Sequence, residues 1–118
     1  MILVDTSVWV DHFRAADSRL TGLLLDGHVL SHSFVVGELA CGNLRRRAEV
    51  LVLLRSLPQL PVLNSDDALG FLDAHRLMGE GLGWVDVNLL ASAYASREGL
   101  WTKDRRLGEA ARRLGVAA

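Results

Sequence analysis

Short apolar runs alternate along this chain with longer stretches in which apolar residues recur every three or four positions. Ile2 to Val4, His28 to Ser31 and Leu100 to Thr102 read as strands, with Val62-Leu63 as a further short one. Between them the spacing predicts helices over Thr6 to Arg14, Ser18 to Leu25, Phe34 to Cys41 and Arg45 to Leu57. Three more are expected from Asn64 or Ser65 to about Met78, from Val85 to Arg97, and from Asp104 to Leu114. Asp17 or Ser18 and Ser33 are helix-start residues, Gly27 and Gly99 end helices, and Pro58 and Pro61 bracket a turn. Strand alternating with helix implies an α/β fold with a parallel sheet covered on both faces and right-handed crossovers.

Length and composition narrow the class. The 118 residues suffice for one domain with a real core, spanning 1–118, and half of them are hydrophobic. A net charge of −1 excludes a bulk polybasic nucleic-acid binder, so any such contact must be local. Cys41 is the only cysteine, which rules out a disulfide framework and a cysteine zinc site. No apolar run reaches membrane-spanning length, and Asp5 interrupts the N-terminal one, which carries no basic lead. The expected location is the cytoplasm, with no membrane partner.

Most acids have ordinary partners. Glu49 lies a helical turn after Arg45 and Arg46, Asp73 a turn before Arg76, and Glu109 among four arginines. Four do not. Asp5 ends an apolar strand, and Asp104 follows one by two residues. Glu38 is flanked a turn away by Phe34, Val35, Cys41 and Gly42, and Asp86 by Leu89 and Leu90. A lone carboxylate in such a setting is costly unless it is paired with a cation or bound to metal. Asp86 and Asp104 also have a simpler reading as helix-start residues. Strand ends of a parallel sheet converge on one edge, where open α/β folds place their ligands, so the four can meet. Carboxylates sharing a pocket repel and take up protons unless a divalent cation joins them. Oxygen donors without sulfur or imidazole select Mg²⁺ or Mn²⁺, whose chemistry suits phosphodiester hydrolysis.

Four segments carry a family resemblance. Val4-Asp5-Thr6-Ser7-Val8-Trp9, Val36-Gly37-Glu38-Leu39, Val85-Asp86-Val87-Asn88-Leu89-Leu90-Ala91 and Leu100-Trp101-Thr102-Lys103-Asp104 resemble the four motifs of PIN-domain ribonucleases. Their order and spacing are similar to those of VapC-type toxins of toxin–antitoxin pairs. The resemblance implies a three-layer α/β/α fold with about five parallel strands in the order 3-2-1-4-5. It implies a Mg²⁺- or Mn²⁺-dependent endoribonuclease acting on RNA, with Asp5, Glu38, Asp86 and Asp104 as both catalytic and metal-holding residues. Thr6 and Thr102 would support them. A homodimer and a cognate antitoxin protein are also implied. Asn88 departs from the family by being polar where apolar residues prevail.

Other features have plainer readings. His28 and His32 are four apart, but on a strand that is roughly 13 Å, so they read as surface or edge histidines. Arg105 and Arg106, directly after Asp104, are candidates for RNA-phosphate contact, and Arg45-Arg46-Arg47 for either an RNA track or a solvated helix start. Trp9, Trp84 and Trp101 flank three motifs and read as core more readily than as base-stacking groups. Cys41 reads as an inert residue on an apolar face. Two catalytic or signalling alternatives fit worse: a receiver module needs paired acids after strand one, and a haloacid-dehalogenase-type phosphatase needs an acid where Ser7 stands. A non-catalytic RNA- or protein-binding module of the same fold is the third alternative.

Overall fold

The central strand β1 (Ile2–Val4) pairs in parallel with β2 (Val29–Leu30) on one side and β3 (Gly99–Trp101) on the other. In the computed structural model, which describes residues 1–118, seven helices surround this sheet: α1 (Thr6–Arg14), α2 (Ser18–Leu25), α3 (Ser33–Cys41), α4 (Arg47–Ser56), α5 (Ser65–Ala74), α6 (Trp84–Ser96) and α7 (Arg105–Arg113). The sheet has three strands where five were expected. At each edge a single parallel bridge stands in place of the outer strand, Gln59 beside Ser31 and Ala117 beside Leu100. The third strand is therefore not at Val62-Leu63. Because α3 begins at Ser33, β2 ends too soon for a neighbour to pair over more than one residue.

Strands this short are held by burial rather than by their own ladders. Leu3, Val4 and Leu100 are at most 1% exposed and share one core with Val8, Trp9, Leu89, Leu90 and Leu107. Each such side chain contributes about 1.5–3 kcal/mol. Along α6, Val87 to Ala93 are all buried, as expected of a helix enclosed on every side. No helix is long and apolar enough to cross a membrane.

Helix boundaries follow local chemistry with a few departures. Asp17 Oδ1 caps α2 by accepting from Leu20 N, which holds its carboxyl below the usual range, and Asn64 Oδ1 caps α5 through Asp67 N. α4 starts two residues later than expected because Arg46 takes a left-handed conformation (φ 52°). Arg47 then donates twice to the Ala40 carbonyl near the end of α3. α5 stops at Ala74 rather than near Met78, where Arg76 turns left-handed (φ 53°).

The cap of α3 is His32, not Ser33. Its Nδ1 accepts from Phe34 N at 3.0 Å, and its Nε2 lies 3.0 Å from Ser92 Oγ of α6. With Nδ1 accepting, the ring proton belongs on Nε2, which donates to Ser92; Ser92 Oγ donates on to the Pro61 carbonyl. The ring is fully buried, and desolvation lowers its pKa to about 4. The unfolded chain binds this proton below about pH 6.5 while the fold refuses it down to about 4. His32 thus contributes up to about 3 kcal/mol above pH 6.5, lost as pH falls toward 4. Denaturant unfolding of wild type across that window should steepen relative to His32→Asn, whose stability loses this part of the pH slope; parallel curves would contradict the assignment.

Candidate active site

The register of the sheet sets the site. Val4 pairs with Trp101, so the residues that follow, Asp5 and Thr102, emerge side by side, and Asp5 N donates to the Trp101 carbonyl at 2.9 Å. Asp5 is 6% exposed. Its Oδ2 accepts from Thr102 Oγ1 at 2.7 Å and from Ser7 Oγ at 2.8 Å. Those hydroxyls are aimed by the turn after β3: Lys103 N donates to Ser7 Oγ and Asp104 N to Thr102 Oγ1. Two backbone N–H groups thus orient two hydroxyls onto one carboxylate oxygen.

The other acids enter from helix starts. Asp104 is the N-cap of α7, its Oδ1 accepting from Leu107 N at 2.9 Å. Asp86, in the first turn of α6, accepts from Gly83 N through Oδ2 at 3.0 Å. Both are therefore helix-start residues and members of the acidic edge at once. Desolvation pushes the Asp86 carboxyl above its usual range against the Gly83 hydrogen bond, and the charges of Asp5 and Asp104 push it further. Asp86 thus lies close enough to Asp5 and Asp104 to feel the charge of each.

Glu38 joins by a different route. It is exposed rather than embedded in an apolar stripe, because Gly37, Cys41 and Gly42 beside it also face solvent. Thr6 Oγ1 donates to Glu38 Oε1 at 2.7 Å, which tethers it to the residue that follows Asp5. Cys41 is likewise exposed.

No arginine or lysine forms an ion pair with any of the four acids. Lys103, the nearest in sequence, turns instead to Asp11 at 3.1 Å and Asp17 at 3.7 Å. The donor set is all oxygen, carboxylate and hydroxyl, as a hard divalent cation requires. No three of these groups are gathered tightly enough to hold an ion as they stand, so the side chains must swing inward to ligate one.

The remaining sequence candidates separate. Arg105 is exposed and pairs with Glu109 at 3.2 Å. Arg106 lies over Gly81 (φ 77°), where a Cβ would collide with its guanidinium, and Arg113 grips Glu80 of the same loop at 2.6 and 3.1 Å. Asn88, buried, donates back to the Trp84 carbonyl at 2.9 Å. Trp9 is core, and one face of Trp101 is covered by the Arg19 guanidinium at 4.3 Å. Trp84 is 42% exposed and is not core. Ser7 is the site residue the sequence reading missed; its only signal was a hydroxyl two residues after the first acid.

The chain belongs to the PIN-domain family, whose model matches residues 2–113. Over 118 residues it is 50% identical to Ribonuclease VapC32 of Mycobacterium tuberculosis, in strains CDC 1551 / Oshkosh and ATCC 25618 / H37Rv, covering 99% of this chain and 95% of that protein. Its fold is similar to that of M. tuberculosis VapC20, described as a sarcin–ricin loop cleaving toxin, with a TM-score of 0.65 and 20% identity. That match covers 93% of this chain and 95% of the other.

Because ionised Asp86 is disfavoured by burial and by two like charges, Asp86→Asn should raise the heat-unfolding midpoint in chelator at neutral pH, the amide oxygen keeping the Gly83 bond. A lowered midpoint would show that the carboxylates are not in conflict.

Proposed function

We propose that this protein is a Mg²⁺- or Mn²⁺-dependent endoribonuclease and the toxin of a toxin–antitoxin pair. The observation that carries this reading is the coupling of Asp5, Asp86 and Asp104 at one sheet edge with no basic partner. Asp5 is the fixed ligand, offering Oδ1 while Ser7 and Thr102 hold Oδ2. Asp86 and Asp104 offer the oxygens not used on their helix starts. Glu38, steered by Thr6, assists directly or through water. When bound, the cation neutralises phosphoryl charge and acidifies a water for attack on phosphorus. As the new P–O bond forms, one ester P–O bond of the phosphodiester would break, its leaving oxygen taking a proton from solvent, and the acids would hold the cation. Arg105 and Arg106 directly follow Asp104, and we assign them to the RNA backbone, Arg105 by exchanging Glu109 for phosphate.

VapC32 is named a ribonuclease, and half-identity along nearly the whole chain supports the same activity here. The family likewise supports a cognate antitoxin, a homodimer and a cytoplasmic location. Incubating purified protein with total cellular RNA, with and without Mn²⁺, and mapping new ends should reveal discrete cleavage that chelator removes. Asp5→Asn should abolish it, and Thr102→Ala should slow it by roughly 10–100-fold, as loss of a group orienting a metal ligand does. Cleavage by Asp5→Asn equal to wild type would overturn the site, and no cleavage by wild type would leave the non-catalytic binding module.

A further inference from the structure

The acids stand on separate helices, so catalysis requires that the distance between those helices be fixed. We propose that His32 is a positioning residue of the acidic site, its two ring nitrogens tying the first turn of the Glu38 helix α3 to the Asp86 helix α6. This rests on the metal-nuclease reading above.

His32 reaches both elements by hydrogen bonds from a fully buried position, Nδ1 to Phe34 N of α3 and Nε2 to Ser92 Oγ of α6, each 3.0 Å. Ser92 is itself 1% exposed and is anchored to the Pro61 carbonyl at 2.9 Å. Glu38 lies six residues after His32 and Asp86 six residues before Ser92, so the tie is about 9 Å along each helix from its acid. Capping alone does not account for an imidazole here, since serine, threonine or aspartate caps a helix better without burying a ring. What the ring adds is the second nitrogen, which reaches across to α6. Apolar packing between helices tolerates small slides, whereas a hydrogen bond confines its two atoms to a few tenths of an ångström. With Thr6 at the start of α1 holding Glu38, the tie fixes α3 at both ends of its first two turns.

Isosteres separate the two nitrogens. The amide oxygen of His32→Asn stands near Nδ1 and keeps the cap but falls short of Ser92. The amide N–H of His32→Gln stands near Nε2 and restores the link while losing the cap. Mn²⁺ binding to the full chain without RNA is measured by loss of the free-ion paramagnetic resonance signal, with folding checked by circular dichroism and heat unfolding. His32→Asn and Ser92→Ala should weaken Mn²⁺ binding by at least about tenfold while remaining folded, and the Mn²⁺ needed for half-maximal RNA cleavage should rise in step. His32→Gln should bind Mn²⁺ more tightly than His32→Asn even where it is the less stable protein. Wild-type Mn²⁺ affinity in both His32→Asn and Ser92→Ala, with only the unfolding midpoint lowered, would overturn the proposal, as would a Gln variant no better than Asn. Wild type that binds no Mn²⁺, or Asp86→Asn that binds as wild type does, instead overturns the nuclease reading and carries the proposal down with it.

Discussion

One carboxylate oxygen, Asp5 Oδ2, is the fixed point of the acidic edge. It is held by two hydroxyls, and each hydroxyl is aimed by a backbone N–H of the turn after β3. A buried carboxylate without such donors would be a large cost to the fold; with them it becomes a rigid reference against which other groups are placed. The parallel register of β1 and β3 creates this arrangement, since it delivers Asp5 and Thr102 to the same rung. Every other acid is located relative to that rung by a helix start or by the Thr6 hydroxyl.

The same short hydrogen bonds explain how a three-stranded sheet supports a site at all. β1, β2 and β3 have three, two and three residues, too few for a ladder to resist sliding. Side-chain links across strand ends supply the missing constraint: Ser7 to the turn at Lys103, His32 to Ser92, and Arg113 to Glu80 in the loop before α6. The protein fixes its geometry at helix starts, where orphan N–H groups offer directional contacts.

Three of the strands, the helix order and the coupling of Asp86 to Asp5 and Asp104 were legible because they depend on local apolar rhythm and on acids without nearby cations. What escaped depends on distant partners. Ser7 looks like an ordinary helix-start residue, and His32 like a surface or edge histidine although it is fully buried, until β3 and α6 are beside them. The left-handed turns at Arg46 and Arg76 carry no glycine signal, since tertiary packing imposes them. Glu38 was misjudged because its apolar neighbours in sequence are not all inside: Cys41 and Gly42 face solvent, and the flank of α3 that carries it is a rim. The third strand was sought in Val62-Leu63 for its composition, whereas pairing is decided by where Ser31 has a free carbonyl, which Leu60 N takes.

The bonds that shape Asp5 join residues 96 and 97 positions apart. During synthesis on the ribosome, Asp5 emerges 97 residues ahead of Thr102, so the first acid waits for the groups that orient it. A nascent chain lacking Thr102 and Asp104 therefore has no aimed carboxylate and no convergent charge. Under the proposed nuclease function, this topology delays competence until β3 and the turn after it have been made.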